Sequence, residues 1–383
     1  MSSTETRLFR HVPWHIVMLA AMICALGVWN LVSASRNSLP DRWLFQAQLM
    51  GAGCVLMAVI CMVDYRVLMR LAYPLYVAVV LMLVGVAVHG KVVMGAKRWL
   101  QVGPLQLQPS EFAKLAVILA LARWFHENKT DLETDRRGYK LRGLWQPFAL
   151  LMLPMALTLK QPDLGTAMLI GAIGFSSILF ARVDWRGLAI LGVVGVVGVT
   201  VAFTGVPVRQ GRQWTSKPVL KEYQRKRLLT FLNPDGDALG AGYHANQSMI
   251  AVGSGQLSGK GWEQGTQTQL SFLPEQHTDF IFSVWAEERG FLGGLVLLAL
   301  YFMLVLSGLS VAFAAKEKFG AFLAFGITAM IFWHVFINIG MVTGTLPVVG
   351  VPLPLMSYGR SSVITIMVGL GLLLNVQMRR FRS

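Results

Sequence analysis

The chain has 383 residues, 55% of them hydrophobic and only 14% charged, whereas a soluble globular chain carries about 25% charged residues. This composition excludes a soluble enzyme, and the length leaves no room beside the apolar runs for a separate soluble domain of ordinary size. The net charge of +15 does not point to nucleic acid. Its basic residues collect in short loops between apolar runs, as in membrane proteins, and acidic headgroups or a phosphorylated lipid match the sign equally well.

The start, "MSSTETRLFRHVPWH", leads into an apolar stretch too long for a signal-peptide core and without a small-residue cleavage pattern. It reads as a signal anchor. Ten apolar spans are predicted, near 14–34, 45–63, 71–88, 111–125, 145–160, 164–181, 187–205, 290–313, 321–343 and 359–378. Several fall short of the roughly 20 residues that cross a bilayer and must extend through flanking polar residues. The fifth and sixth, interrupted by Pro154 and "KQPD", read either as one hairpin with a tight turn or as a pair of tilted helices. Cys24, Cys54 and Cys61 lie in or at the end of apolar runs without metal-ligand spacing and read as packing residues.

With the N-terminus inside, the inner segments hold sixteen Lys and Arg and the short outer loops five, which places both termini in the cytoplasm. The expected fold is an all-α polytopic membrane protein of ten transmembrane helices, one membrane domain over residues 1–383. Residues 206–279 form a long extracytoplasmic loop between the seventh and eighth spans. A loop of that length is usually functional or disordered. This one has enough apolar side chains, Trp214 and Tyr243 among them, to form short amphipathic helices on the outer leaflet. Residues 280–315 are too long for one straight span. "FIFSVWAEERG" is predicted as a first helical section, with a bend at Gly290, Gly293 and Gly294.

Charges near a membrane are costly and mark function by default. Three outer clusters stand out. "GAKRWLQVGPLQLQPSEFAK" carries Lys97, Arg98, Gln108, Glu111 and Lys114. Glu111 and Lys114 can share a helix face, with Ser110 as a cap, and the bland alternative is an intrahelical surface pair. "KQPDLGTA" carries Lys160, Gln161, Asp163 and Thr166, where Asp163 falls at a helix N-terminus, a favourable place for its charge and for a plain cap. "LPEQHTDFIF" puts Glu275, His277 and Asp279 directly before a membrane helix. If that stretch is helical, Glu275 and Asp279 face one another and the like charge raises one pKa, which is how a carboxylate becomes a usable general base. The alternative there is a solvated loop capped by Asp279. No Walker loop, GxGxxG, HExxH or CxxC is present.

The runs "GAKRWL", "QPSEFAK", "QPDLGTA", "NPDGDALGAGYHANQS", "GTQTQLSFLPEQHTDFIFSVWAEERGFLGG" and "NIGMVTGTLPVVGVPLPLMSYG" cover much of the chain. In them it resembles the SEDS family (shape, elongation, division and sporulation), and within it the elongation-type branch. The resemblance implies a ten-helix peptidoglycan glycosyltransferase that polymerises lipid II at the outer face of the bacterial inner membrane. It implies that Asp279 is the essential acid, with Glu111, Lys114 and Asp163 as motif residues. It also implies stimulation by a divalent cation, Mg or Mn, with metal ligands unknown and no organic cofactor. The implied partners are a class B penicillin-binding protein that crosslinks the strands and other membrane proteins of the elongation complex. Lys97, Arg98 or Lys114 would meet the departing pyrophosphate. A lipid II flippase and a non-catalytic scaffold are the alternatives. One departure is visible: the family commonly reads "SYGGSS" where this chain reads "SYGRSS", so that Arg360 either reaches outward to headgroups or changes a close helix contact.

Overall fold

The computed structural model describes residues 12–36, 41–93, 96–102, 105–128, 139, 141–184, 186–187, 189–190, 192–193, 206–210, 213–217, 225, 227, 230–231, 240–270, 272–273 and 275–381. Six described helices are long and apolar enough to cross a membrane. They are α1 (Trp14–Ser35), α2 (Arg42–Met62), α3 (Tyr65–His89), α9 (Ile281–Ala314), α10 (Lys318–Val342) and α11 (Arg360–Met378). Between them lie α4 (Pro109–Glu127), α5 (Trp145–Lys160), α6 (Leu164–Phe180), α7 (Ala241–Ser254) and the single turn α8 (Thr266–Gln269). The fifth and sixth predicted spans are thus two helices joined at residues 161–163. Most of the seventh, 187–205, lies outside the described residues.

The centre is α10, which packs against α4, α6, α9 and α11. Most of its residues are buried, Phe319, Ile327 and Met341 among them, while Phe332 and Phe336 are exposed along one face. Rim helices also present Val55, Leu81 and Phe302 outward. A bundle whose exterior is as apolar as its core suits hydrocarbon, where helices satisfy their own backbone.

Two small sheets add to the helical architecture. Residues 91–107 form β1 (Lys91–Val93), β2 (Ala96–Val102) and β3 (Leu105–Leu107), an antiparallel meander with Leu100 opposite Leu107. In the long loop β4 (Val206–Gln210) and β5 (Gln213–Lys217) pair antiparallel, where amphipathic helix was expected. Antiparallel neighbours pair their backbone groups locally, so a short polar connection satisfies itself without a helix.

Irregular backbone collects at one end of the bundle, called here the site end, and side-chain amides satisfy it. Asn30 Nδ2 donates to Ile281 O at 3.0 Å, Gln46 Nε2 to Ser357 O at 2.9 Å, and Asn338 Nδ2 to Asp279 O at 2.9 Å and Val351 O at 2.7 Å. At the far end, ion pairs tie the helices instead: Arg66 to Glu317 at 2.7 Å and Arg379 to Asp64 at 3.3 Å.

The expected bend in the long eighth stretch falls at Gly290, with φ 66° and ψ −166°, while Gly293 and Gly294 remain helical. A side chain is disfavoured there twice over. The conformation is essentially glycine's own. A Cβ would also lie 2.3 Å from Gly259 N and 2.6 Å from Leu257 O, both backbone atoms that cannot swing aside. Gly290→Ala is therefore expected to destabilise the protein by at least about 2 kcal/mol, the cost of such backbone strain before the clash is added. Thermal unfolding of the purified variant checks this, and an unchanged midpoint would show that the kink relaxes freely.

Candidate active site

Asp279 sits in a turn, residues 275–280, directly before α9. The helical spacing expected for Glu275 and Asp279 is corrected here: Glu275 has φ 53°, and the segment turns back on itself with Thr278 N donating to Glu275 O at 3.0 Å. Glu275 is drawn toward its own turn, accepting from Thr278 Oγ1 at 3.1 Å and standing 3.7 Å from His277 Nε2. The turn is anchored from outside by Tyr358 N, which donates to His277 O at 2.9 Å, and by Gln276 Nε2, which donates to Ala34 O at 2.9 Å.

The Asp279 carboxylate is half-buried, and no described residue hydrogen-bonds it. Gly350 lies against it, where an added Cβ would come 3.1 Å from Oδ2. Burial pushes the carboxyl up to about 6, with the charge of Glu275 adding to the rise, Arg227 opposing it, Asp163 adding and Arg98 opposing. The rise comes without the helical pairing that the sequence reading made its condition: burial leads and Glu275 is secondary. His277 is held below the ordinary histidine value by burial and by Arg42, against the pull of Glu275.

Asp163 caps α6 as expected. Its Oδ1 accepts from Thr166 N at 3.2 Å, and its Oδ2 accepts from Thr166 Oγ1 at 3.0 Å, Gln108 Nε2 at 2.9 Å and Ser110 Oγ at 3.3 Å. Ser110 is thus not the cap of α4; Gln108 occupies that position, and Ser110 turns its hydroxyl across to Asp163. The first two sequence clusters are one network, joined by Arg98, which donates to Pro162 O.

Glu111 and Lys114 do pair, at 2.9 Å, but as a buried pair rather than a surface one, with side chains 5% and 0% exposed. Lys114 Nζ also lies 2.8 Å from His334 Nε2. Since His334 Nδ1 faces Met330 O at 2.6 Å and must carry the proton, Nε2 accepts from Lys114. His334 was not singled out from sequence, because a lone histidine in an apolar span carries no spacing signal. Lys160 ends α5 with its side chain exposed, and Lys97 lies in β2 opposite Val92. Arg360 opens α11, exposed, with its guanidinium 4.7 Å from the ring centroid of Phe45 on α2, so it forms a contact between the two helices at the surface of the bundle. Another residue pair missed from sequence, Glu287 and Glu288 of α9, is buried and bonded to the 260–268 segment.

Removing one member of a buried ion pair leaves a bare charge in the interior, typically costing about 3–5 kcal/mol. Glu111→Ala is expected to lower stability by that order, whereas the double variant Glu111→Gln/Lys114→Met recovers most of it. Thermal unfolding of both variants distinguishes a buried pair from an exposed one, for which the loss is about 0.2–0.5 kcal/mol.

Residues 10–381 match the cell cycle protein family of FtsW, RodA and SpoVE. The chain is 41% identical over 366 residues to the peptidoglycan glycosyltransferase MrdB of Escherichia coli, covering 95% of this chain and 92% of that protein. It is 34% identical to the peptidoglycan glycosyltransferase RodA of Treponema pallidum, covering 95% and 96%. Among solved structures it matches a chain of a peptidoglycan synthase complex that coordinates polymerization and crosslinking, with TM-score 0.80, 34% identity and coverage of 97% and 99%. It also matches the rod shape determining protein RodA of Thermus thermophilus, with TM-score 0.68, 30% identity and coverage of 97% and 98%. Matches that run nearly end to end in both sequence and fold make this chain a multi-pass membrane protein of the SEDS family, to which FtsW, RodA and SpoVE belong.

Proposed function

We propose that the chain is a peptidoglycan glycosyltransferase that polymerises lipid II, with Asp279 as its general base. The observation that carries this reading is a half-buried carboxylate at the mouth of the bundle with no hydrogen-bond donor among the described residues, lying in the field of Arg227 and Arg98. The 4-hydroxyl oxygen of the acceptor sugar attacks the anomeric carbon of the donor. The bond to the lipid pyrophosphate breaks on the opposite side, and Asp279 takes the hydroxyl proton. A single displacement turns the α-linked donor into a β-1,4 link and needs one base, without a covalent nucleophile.

Cations must meet the charge growing on the departing pyrophosphate. Arg98 and Arg227 lie at the mouth. Lys114 is taken by Glu111 and His334 and fully buried, so it supports the wall beneath the site and leaves the pyrophosphate to the arginines. Among the described residues no three His, Cys, Asp or Glu side chains converge as a cation cage. Mg or Mn bound to the pyrophosphate would add to that positive charge, and no step above is routed through it. An apolar groove of about 650 Å³ between α9 and α10 runs up to Gly340 and Thr343. It suits a polyprenyl chain or the membrane helix of a crosslinking partner, such as a class B penicillin-binding protein of the elongation complex.

The reaction belongs on the outer face of the inner membrane, with both termini in the cytoplasm, on the strength of the Lys and Arg asymmetry. Reporter fusions at residues 130 and 240 are expected to read cytoplasm and periplasm; a periplasmic signal at 130 would overturn the ten-span topology.

Asp279→Asn keeps the shape and removes the proton acceptor. Loss of a positioned base costs about 100- to 10,000-fold, so the variant is expected to make no glycan strands from lipid II on a gel. Because burial penalises the ionised form, above pH 6 the wild type carries a cost that the neutral amide lacks. The variant should consequently unfold no earlier than wild type at pH 7. In wild type the base must be ionised, so kcat/KM should fall as pH drops through about 6 rather than near the ordinary value of about 4. Polymerisation by Asp279→Asn above a tenth of the wild-type rate would sink the assignment.

A further inference from the structure

The break at Gly290 frees backbone groups in α9, and a loop fills the gap from both directions. Phe291 N donates to Gln256 O at 2.8 Å and Leu292 N to Leu257 O at 3.1 Å. In return, Glu287 O accepts from Lys260 N at 3.0 Å and Glu288 O from Gly261 N at 3.1 Å. The loop then curls over the Glu287 side chain, which is fully buried. Its Oε1 accepts from Lys260 Nζ at 2.7 Å, Gln267 N at 3.0 Å and Thr266 Oγ1 at 3.2 Å. Its Oε2 accepts from Thr268 Oγ1 at 3.1 Å and Thr268 N at 3.3 Å. Gln267 and Thr268 lie in the first turn of α8, where amide donors have no partner within the helix. A carboxylate from a different helix supplies the missing acceptor, and a Cβ at position 265 would lie 2.7 Å from it. Glu288 next door accepts from Ser33 Oγ of α1 and from Glu263 N at 3.2 Å.

This cluster is about two helical turns from Asp279 along α9, and it reaches the catalytic turn by a second route. Thr268 O accepts from Gln276 Nε2 at 3.5 Å, and the same amide holds Ala34 O of α1. Gln276 lies inside the turn that carries Glu275, His277 and Asp279. We propose that Glu287 is a positioning residue for glycosyl transfer, its buried carboxylate clamping the 260–268 loop onto the kink of α9 and thereby fixing the turn that presents Asp279. The proposal rests on the reading of Asp279 as the base. Glu287 itself touches no reacting atom.

The test uses the full chain with its crosslinking partner, lipid II as substrate, and Glu287→Gln. The amide puts an NH2 where Lys260 and the α8 donors need an acceptor. Three readouts are taken together: hydrogen exchange over residues 262–280, kcat and KM for lipid II, and the acid limb of the pH–rate profile. Exchange is expected to quicken at least about tenfold. The value of kcat should fall roughly 100-fold, as for a displacement of about 1 Å, with KM within about twofold of wild type. The limb should move below 6 as water reaches Asp279, although Glu275, Asp163, Arg98 and Arg227 still face it. A folding anchor alone would lower the yield and leave the limb of the surviving enzyme in place. Faster exchange with unchanged kcat, or lost kcat with unchanged exchange, overturns the clamp. If Glu287→Gln does not yield folded protein, Thr268→Val removes only one hydroxyl donor and is judged by the same three readouts. Failure of the base reading shows separately, as polymerisation by Asp279→Asn run in parallel.

Discussion

An ionised carboxylate taken out of water costs several kcal/mol unless donors replace its hydration. At the site end of this bundle that constraint organises the whole structure. Asp163 is answered by Gln108, Ser110 and Thr166, Glu111 by Lys114, Glu287 by Lys260 and the first turn of α8, and Glu288 by Ser33 and Glu263. Apart from Lys114, which shares α4 with Glu111, and Thr166, which follows Asp163 in α6, these answers come from other segments, so most of the satisfied acids are also ties between elements. Asp279 breaks the pattern. Its backbone carbonyl is held by Asn338, yet its carboxylate has no donor among the described residues. Among the described residues Asp279 is thus held by its backbone while its carboxylate meets only the more distant charges of Arg227 and Arg98, an arrangement in keeping with the proposed role as base.

The ties also explain how irregular backbone survives beside apolar helices. The 344–358 segment runs across the site end without regular structure, which hydrocarbon would not tolerate. Gln46, Asn338 and Ser357 satisfy it: Ser357 Oγ accepts from Leu353 N at 2.7 Å, and Tyr301 donates to Pro354 O. Buried beneath, Lys114 and His334 join α4 to α10, the central helix. Rigidity below the mouth is thus built from side-chain hydrogen bonds, and the mouth itself is left to charge.

The three clusters that sequence spacing singled out do converge, and the predicted spans other than the seventh, most of which lies outside the described residues, fall close to their helices. Legibility fails where the determinant is non-local. Ser110 sits at a plausible cap position, yet Asp163 from another helix draws its hydroxyl away. Glu111 and Lys114 have the spacing of a surface pair, and only the arrival of His334 from α10 shows them to be buried. "AEERG" resembles an interfacial helix end, because nothing in those five residues reveals that the loop carrying Lys260 and Thr268 folds back over them. The two hairpins were missed for a related reason: short polar connections satisfy their backbones equally well as strands or as helical turns, and composition does not choose between them.

Depth separates chemistry from transport. The acids of the site end lie within about two turns of their helix ends. The deepest polar group in line with them is His334, eight residues from the end of α10 and so roughly 12 Å in. Below it the described core offers hydroxyls already committed to their own helices, Thr328 to Ala324 O at 2.7 Å and Ser177 to Ile173 O at 2.9 Å. Among the described residues charged pairs reappear toward the far end, as Arg66 with Glu317, Arg123 with Glu127 and Arg379 with Asp64. A carrier moving a diphosphate headgroup across the bilayer needs polar partners at mid-depth, since leaving the charge unmet there costs more than any surface contact returns. A polymerase needs only one polar face, with lipid tails left in the membrane and sugars meeting at the mouth. Among the described residues the distribution of charge suits an enzyme working at one end of the bundle better than a carrier.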